Sequence, residues 1–328
     1  MDLRELADDV LEMLVLPSFS RVGYDLRRRM FEWERLDQMS LEGRTVLVTG
    51  PTSGLGRTAV SELSAMGARV LLVGRDPDKL ERTMTELIAW SGNREIATYV
   101  ADMGSLASVR AGAAAILDRE ERLDVLIDNA GAMFMDRRVS VDGFELTFAT
   151  MVVGPFALTS RLLPLLRADA SAAVPSRIVA VTSGGQYAQR LHLDDLQYLQ
   201  GEYNGPFAYA RVKRAQVALM REWARRLRPA GVVANAMHPG WADTPGLDAS
   251  LPAFREALGP YARTAEEGVD TMIWLAAAEE AGRTTGRLFL DRRPRPFDRI
   301  PQTRTSAESR RELWDLVSSV SGESPDLD

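Results

Sequence analysis

The chain has 328 residues, of which 45% are apolar, and a formal net charge of −6. This length and composition suffice for one α/β core with appendages, and the negative charge argues against nucleic acid as a partner. The absence of cysteine excludes disulfides and thiolate metal sites and fits a cytoplasmic protein. The two histidines are too few for an imidazole metal cluster, so no metal is expected, and His238 is expected to shape the turn at Pro239.

Residues 1–40 are predicted to form an N-terminal helical extension. Apolar residues repeat there with helical spacing, at Leu3, Leu6, Val10, Leu11 and Leu14 and then at Val22, Leu26, Met30 and Trp33. This stripe favours docking on the protein's own body or on a partner subunit. Contact with a membrane surface is the alternative, supported by the cluster Arg27–Arg29 and by the aromatic residues Phe31 and Trp33. No apolar run in the chain approaches the ~20 residues of a transmembrane helix.

A glycine-rich turn follows the first predicted strand. The run Thr45–Thr49 is β-branched and apolar, as in a buried parallel strand, and Gly50, Gly54 and Gly56 come before an amphipathic stretch that begins near Arg57. A strand, a glycine turn and a helix together direct backbone N–H groups and a helix N-terminus at a pyrophosphate. Many glycine turns merely end a strand, but the position between strand and helix favours dinucleotide binding.

The end of the second predicted strand indicates which dinucleotide binds. An acidic residue at that point would accept hydrogen bonds from the ribose hydroxyls and favour NAD. Here the first charged residue after Val73 is Arg75, whose guanidinium can hold a 2′-phosphate, while Asp76 is placed to cap the next helix. We therefore predict NADP, with NAD the less favoured cofactor. The alternative is that Arg75 is an ordinary surface arginine in an arginine-rich chain.

Residues 41–291 alternate between strand-like and helix-like segments, which predicts an α/β Rossmann fold, a doubly wound parallel sheet with helices on both faces. Seven strands are predicted, near Arg44–Thr49, Arg69–Val73, Ile96–Ala101, Leu123–Asp128, Arg177–Thr182, Val232–Ala236 and Arg287–Leu290. The predicted helices between them include Ala208–Leu227 and Ala265–Ala281. Residues 292–328 form a C-terminal tail with a short amphipathic helix around Arg310–Val320. The extension, the tail and the loop Gly184–Phe207 are expected to lie outside the core.

Tyr209 and Lys213 are four residues apart on a predicted helix, and the chain contains only one other lysine, Lys79. Residues i and i+4 share a helix face, so the phenol and the ammonium can point into one pocket. A nearby ammonium stabilises phenolate and lowers the tyrosine pKa, which makes the phenol usable as an acid or base near neutral pH. Taken alone, the pair could be a coincidence on a solvated helix face.

Five segments in this order resemble the short-chain dehydrogenase/reductase family. They are Thr49–Gly56, Asp128–Gly131 (with Asp where the family has Asn), Ser183, the Tyr209–Lys213 pair, and Pro239-Gly240 followed by Thr244. The stretches Ser18–Trp33, Thr182–Leu191, Met237–Gly246 and Gly286–Pro294 also resemble the subgroup named dehydrogenase/reductase SDR family member twelve, near the retinol-dehydrogenase-like reductases. The resemblance implies the strand order 3-2-1-4-5-6-7.

The resemblance also implies roles for individual residues. Tyr209 would be the acid or base, Lys213 would tune it and bind the nicotinamide ribose, and Ser183 would orient the substrate oxygen. Asp102 would meet the adenine, and Asn129 would tie neighbouring strands beneath the cofactor. The other cofactor contacts would come from Gly50, Thr52, Ser53, Gly54, Leu55, Gly56, Arg75, Ala130, Gly131, Pro239 and Thr244. A strand-end serine is common, so the assignment of Ser183 depends on its pairing with Tyr209 and Lys213.

One position departs from the family pattern. Met151 stands where the family usually has an asparagine, whose backbone carbonyl holds a water linked to the lysine. Methionine keeps that carbonyl but lacks the amide that orients the helix. The water relay is then either altered or impaired, and the alternative is that Met151 is a packing residue.

Two functions follow from these features. The first is an NADP-dependent carbonyl reductase or alcohol dehydrogenase acting on a small-molecule carbonyl or alcohol that is expected to be apolar. The second is a catalytically weak dinucleotide-binding protein with a role in sensing or assembly. The serine, tyrosine and lysine favour the first function, and Met151 is the main feature in favour of the second. The loops Gly184–Phe207 and Gly240–Tyr261 are expected to determine the substrate.

Overall fold

The computed structural model describes residues 2–245 and 252–325. Its centre is one eight-stranded sheet in the order β3-β2-β1-β4-β5-β6-β7-β8. The strands are β1 Thr45–Thr49, β2 Arg69–Gly74, β3 Ile96–Val100, β4 Val125–Asp128, β5 Ser176–Val181, β6 Val232–Met237, β7 Leu288–Leu290 and β8 Arg293–Arg295. The first seven are parallel and fall within two residues of their predicted bounds. The Rossmann fold and the predicted order of these seven strands are confirmed.

The prediction of seven strands is wrong by one, because the tail adds β8 in the antiparallel sense to the edge strand β7. The connecting residues Asp291 and Arg292 both have positive φ, 54° and 55°. Hairpin turns of this kind usually carry Asn-Gly or Asp-Gly, so Asp-Arg gave no turn signal. Pro294 pairs with Phe289 at this edge of the sheet, where proline is tolerated.

Helices cover both faces of the sheet, as expected. Those in the described residues are α1 Leu3–Met13, α2 Val15–Phe19, α3 Arg21–Met30, α4 Gly54–Ala65, α5 Pro77–Ser91, α6 Leu106–Leu117, α7 Leu146–Phe148, α8 Gly154–Arg167, α9 Gly205–Leu227, α10 Pro252–Leu258, α11 Ala265–Ala277, α12 Glu279–Gly282 and α13 Ala307–Ser321. The predicted helix Ala265–Ala281 is broken at Ala278, whose ψ of 137° is extended. A π-helical turn, Ala149–Val153, joins α7 to α8.

The strands have two hydrophobic faces because alternate side chains point to opposite sides of a sheet. Leu47 and Leu71 face the core that α6, α8, α9 and α13 cover, whereas Val46 and Val70 face the core under α4, α5 and α11. Both cores consist of buried aliphatic side chains with a smaller number of aromatic rings. A rigid sheet buried on both faces therefore holds the strand ends that carry the site.

The expectation that no segment could span a membrane is wrong for one stretch. The helical run Leu146–Arg167 has 22 residues and a mean hydropathy of 1.4, long and apolar enough by composition alone. However, 78% of its apolar window is buried inside the protein. Its apolar residues belong to the core beside α9, which accounts for the hydropathy of this run.

The N-terminal extension docks on the protein's own body, but not through the predicted apolar stripe. Leu11 is buried, whereas Leu3 is 81% and Leu14 54% exposed. The docked face is polar: the fully buried Arg27 pairs with Asp8 at 2.6 Å, and it also pairs with Glu12 and Asp291. The spacing of apolar residues correctly predicted that the extension is helical. It could not show that the face with the charged residues would be the buried one. Contact of the exposed face with a membrane or a partner stays a prediction.

The C-terminal tail also contributes to the core, contrary to expectation. Leu313, Trp314 and Val317 of α13 are buried, and the Trp314 ring lies 4.5 Å from that of Trp223 on α9. Phe19 of the extension is likewise a core residue. The division of the chain into an extension, a domain and a tail at residues 40 and 292 stays a prediction.

Candidate active site

Most of the predicted site residues lie at the carboxyl edge of the sheet. Gly50, Arg75, Asp102, Asn129, Ser183 and Pro239 each follow a different parallel strand within three residues. Parallel strands bring their carboxyl ends to one edge, so the backbone assembles these residues before any side-chain contact is considered. The helix α9, which packs on β5 and β6, brings Tyr209 and Lys213 to the same edge.

The glycine turn between β1 and α4 has the geometry that a dinucleotide requires. Gly50 and Gly54 have φ of 68° and 51°, a region that favours glycine, and a Cβ at Gly56 would collide with the carbonyl oxygen of Gly50. Ser53 caps α4 with an extended backbone and makes no side-chain capping hydrogen bond. The N-terminus of a 12-residue helix thus faces a turn in which glycines let a ligand approach the backbone, which fits a pyrophosphate.

The other residues of this turn lie around that helix end. Thr52 is partly buried and Ser53 is exposed. Leu55 is partly buried and approaches Gly268 of α11, where an added Cβ would lie 2.9 Å from the leucine Cδ2. Thr244 lies over Gly54, since a Cβ at Gly54 would be 3.7 Å from the threonine Cβ. The predicted turn residues and Thr244 are therefore brought together.

Asn129 connects β4 to β1 beneath the glycine turn. Its Nδ2 donates to the carbonyl oxygens of Thr49 at 2.9 Å and Gly50 at 3.2 Å. The backbone N–H groups of Asn129 and Ala130 both donate to Thr49 Oγ1 at 3.0 Å. Asn129 thus ties the neighbouring strands together, as predicted. Gly131, the last residue of the segment Asp128–Gly131, is exposed.

Arg75 is exposed immediately after β2, and no group among the described residues forms a hydrogen bond or ion pair with it. Asp76 caps α5, because its Oδ1 accepts from Lys79 N at 3.1 Å, as predicted. Asp102 follows β3, and its Oδ1 accepts from Gly104 N at 2.9 Å. The one charged group at the end of β2 that is free to meet a ligand is thus cationic.

The segment after β6 is held by His238 and Arg263. Gly240 N donates to His238 Nδ1 at 3.3 Å, which gives His238 the turn-shaping role predicted for it. Burial lowers the pKa of His238 well below its usual value. Arg263 donates to the carbonyl oxygen of Pro239 at 3.4 Å. In the predicted substrate loop Gly240–Tyr261, residues 246–251 lie outside the described residues.

Ser183, Tyr209 and Lys213 converge as the sequence predicted. The Ser183 hydroxyl lies close enough to the Tyr209 phenol to act on its pKa. The Lys213 ammonium lies 5.3 Å from the centroid of the Tyr209 ring and donates to the carbonyl oxygen of Val181 at 2.8 Å. Thr182 Oγ1 donates to the carbonyl oxygen of Lys213 at 3.1 Å, which fixes α9 against the end of β5. The three side chains therefore lie together at the carboxyl end of β5.

The predicted effect of Lys213 on the tyrosine pKa is not observed. Burial raises the pKa of Tyr209 to about 12, and the neighbouring Ser183 hydroxyl opposes this rise only in part. Burial also lowers the pKa of Lys213 to about 7, opposed by the charge of Asp128. Since the lysine is itself desolvated, its capacity to stabilise phenolate is smaller than the spacing alone indicated.

Met151 lies in the π-helical turn between α7 and α8, and single π-turns are frequent at functional sites. Its side chain is buried beside Gly131, where an added Cβ would lie 2.8 Å from the methionine Sδ and 3.7 Å from Lys213 Nζ. The thioether thus lies next to the lysine and offers no amide to it.

Sequence reasoning missed the contribution of Phe19. Its carbonyl oxygen accepts from Trp241 N at 2.8 Å, and its ring would collide with a Cβ at Gly184, next to Ser183. The ring also packs edge-on against His238 at 4.6 Å. A residue of the extension therefore contacts both loops that border the site. The only signal for this contact in the sequence was the resemblance of Ser18–Trp33, which includes Phe19, to a subgroup of the family.

Comparisons with known proteins agree with this geometry. Residues 44–194 match the family model described as short chain dehydrogenase. The chain is 37% identical to dehydrogenase/reductase SDR family member 12 of Bos taurus, over 89% of this chain and 90% of the relative. It is 35% identical to retinol dehydrogenase 13 of Homo sapiens, over 76% of this chain and 77% of the relative.

A solved protein structure has the same fold as this chain. The RhlG/NADP active-site complex of Pseudomonas aeruginosa superposes with a TM-score of 0.63 and 30% identity, over 76% of this chain and 95% of that one. The match to the Bos taurus relative, over 89% of this chain, takes in the glycine turn, the helix α9 and the sheet that joins them. The chain belongs to the short-chain dehydrogenase/reductase family.

Proposed function

We propose that this oxidoreductase is an NADP-dependent carbonyl reductase or alcohol dehydrogenase. The observation that carries the proposal is the convergence of Ser183, Tyr209 and Lys213 at the sheet edge that also bears the glycine turn. When bound, the nicotinamide exchanges a hydride with the carbon that carries the substrate oxygen. The chain's own residues must then supply the proton, the orientation and the cofactor binding.

Proton transfer is assigned to Tyr209. In the reductive direction its phenol donates a proton to the carbonyl oxygen, and the Ser183 hydroxyl donates a hydrogen bond that holds the same oxygen in register. In the oxidative direction Tyr209 accepts the alcohol proton. Lys213 would bind the ribose hydroxyls, and Thr244, beside the glycine turn, would hold the carboxamide. Each role needs only groups that lie at this edge.

The preference for NADP is supported by Arg75. It is exposed at the end of β2 without a partner among the described residues, and Asp76 is engaged as a helix cap. A free guanidinium there favours a 2′-phosphate over bare hydroxyls. The Pseudomonas aeruginosa neighbour carries NADP in its name. Its identity of 30% supports the same cofactor for this chain.

An apolar carbonyl or alcohol is the proposed substrate class. Phe19, Tyr187 and Trp241 lie near Ser183 and form an aromatic cluster in which Phe19 and Trp241 are 5.6 Å apart. A relative is named as a retinol dehydrogenase, which points to the same class.

The cysteine-free composition supports a cytoplasmic location.

The test is to incubate the purified protein with NADPH and a panel of apolar aldehydes, ketones and quinones, following absorbance at the nicotinamide band. Oxidation of NADPH that Tyr209→Phe reduces by at least ~100-fold, with NADPH binding retained, is the expected result. Turnover that survives in Tyr209→Phe would overturn the proton-transfer assignment.

The second candidate function is a dinucleotide-binding protein of low turnover. It is favoured by Met151 in place of asparagine and by the raised pKa of Tyr209. Tight NADPH binding without turnover of any member of the panel would support it.

A further inference from the structure

A large cavity lies at the amino edge of the sheet, opposite the edge that carries the glycine turn. Its volume is about 560 Å³, within the ~300–1,000 Å³ of small-molecule sites. Its walls come from the segments before β1 and β4, from the start of β5 and the loop that precedes it, and from α11 and α12. The five residues of β1 span about 16 Å between the two edges, so this cavity is separate from the cofactor site.

Arg177, the second residue of β5, brings an unpaired positive charge to this cavity. Its Nη1 donates to the carbonyl oxygen of Leu275 at 2.9 Å. A guanidinium has five N–H donors. In the part of the chain that the structure describes, this side chain makes no other hydrogen bond and pairs with no carboxylate. Most of its donors are therefore available to a ligand in the cavity.

The acid beside Arg177 is Asp124, and both of its oxygens are already engaged. Its Oδ1 accepts from Arg44 Nη1 at 2.7 Å, and its Oδ2 accepts from the backbone N–H of Thr45 at 2.8 Å. The Arg122 side chain also donates to Oδ2, at 3.1 Å. Burial and then the charge of Arg44 lower the pKa of Arg177 to about 10, which Asp124 opposes. A partly buried cation without a counter-ion is costly, and an anion in the cavity would remove that cost.

The rest of the lining leaves room for such an anion and offers it apolar surface. A Cβ at Gly282 would lie 2.9 Å from Arg177 Nη2, so the glycine keeps space around the guanidinium. Leu41 and Val125 are buried apolar residues of the lining, and Ala173 is an exposed small residue on the loop before β5. One open cation next to apolar surface fits a molecule with one anionic group and an apolar body.

We propose that this cavity is a second binding site, for an organic oxyanion whose carboxylate or phosphate group pairs with Arg177 and whose apolar part packs on Leu41 and Val125. A guanidinium binds either group through two parallel hydrogen bonds. Another arginine of the lining, Arg283, is paired with Glu279 and adds no free charge. The site shares no residue with the proposed active site, so the two proposals stand or fall separately.

Isothermal titration calorimetry on the full chain tests the site with benzoate, phenyl phosphate, inorganic phosphate and the neutral benzyl alcohol. We expect benzoate or phenyl phosphate to bind at a single site, with the same affinity in the presence and absence of NADPH. The tighter of the two identifies the anionic group. Benzyl alcohol should not bind, because it has no charge for the guanidinium. Inorganic phosphate should bind more weakly, because it has no apolar part.

Three variants locate the binding. Arg177→Gln keeps a donor for the Leu275 carbonyl but removes the charge, and it should weaken binding by about 10–100-fold. Arg283→Gln makes the same change at a paired, exposed arginine of the same cavity and should alter the affinity by less than about fivefold. Ala173→Trp fills the cavity from an exposed loop and should abolish binding, which keeps the test decisive if circular dichroism shows that Arg177→Gln does not fold.

Four results would overturn the site: no binding of either organic anion, binding that NADPH displaces, unchanged binding in folded Arg177→Gln or Ala173→Trp, or equal losses in Arg177→Gln and Arg283→Gln. The last would show that the general charge of this edge attracts the anion. Inorganic phosphate that binds as tightly as phenyl phosphate would overturn the organic ligand. Tyr209→Phe should bind the probes like the unmutated chain, so a failed substrate screen leaves this result intact.

Discussion

Lys213→Arg separates the charge of the lysine from its shape. Arginine keeps a positive charge at any accessible pH, and this chain uses arginine for all but two of its 40 basic residues. If charge alone mattered, the variant would keep its activity and would also lose the alkaline limb caused by lysine deprotonation. If a compact ammonium is needed, the variant should be nearly inactive at every pH.

The structure favours the second outcome. Lys213 is 3% exposed, its Nζ lies 2.8 Å from the carbonyl oxygen of Val181, and Met151 packs alongside. A planar guanidinium would overfill this site, at a cost of about 1–3 kcal/mol, and would move the charge away from the Tyr209 ring. We expect kcat/KM to fall by at least ~100-fold, about 2.7 kcal/mol of transition-state stabilisation.

The assay is NADPH oxidation with a substrate from the screen, measured between pH 6 and pH 9 alongside circular dichroism and NADPH titration. Lys79→Arg is the matched control, because that side chain is 59% exposed on α5 and should be indifferent to the change. Full activity in a correctly folded Lys213→Arg protein would refute the role given to the ammonium.

Three further predictions concern the cofactor, the relay and the extension. Arg75→Ala should weaken NADPH binding by ~1.5–3 kcal/mol and leave NADH binding unchanged in fluorescence titrations; equal affinities in the unmutated protein would disprove the NADP assignment. Met151→Asn should raise kcat if the water relay limits turnover, and an unchanged kcat would show that it does not. Arg27→Met removes a buried guanidinium from a network in which Asp8, Glu12 and Asp291 each keep another arginine partner. It should cost about 1–3 kcal/mol in urea unfolding, whereas the exposed Arg28→Met should cost under ~0.5 kcal/mol; similar losses in both would contradict the buried network.

The parallel sheet and the position of the site were predictable because their signals are local. A β-branched run such as Thr45–Thr49 and a glycine turn each encode one element, and parallel pairing then places every strand end at one edge. Asn129 and Asp76 adopt the contacts predicted for them for the same reason, since their partners are close in the chain or on the adjacent strand.

What the sequence did not reveal depends on contacts between distant segments. The apolar stripe of α1 predicted docking through leucines, but three carboxylates that bind Arg27 determine the docked face. The pKa of Tyr209 depends on burial by several elements, so spacing from Lys213 gave the wrong direction. The strand β8 has a proline and lacks a glycine turn, so its pairing became visible only beside β7.

The pairing of Arg27 with Asp291 also constrains how the chain reaches its native state. The two residues are 264 positions apart. At the usual rate of synthesis, roughly 10–50 s separate their emergence from the ribosome, and during that time Arg27 has no Asp291 to bind. The extension is therefore synthesised first, but its pairing with Asp291 can form only after nearly the whole chain has been made. Because Phe19 contacts both loops beside Ser183, those loops can reach their final arrangement only once the far end of the chain has been made.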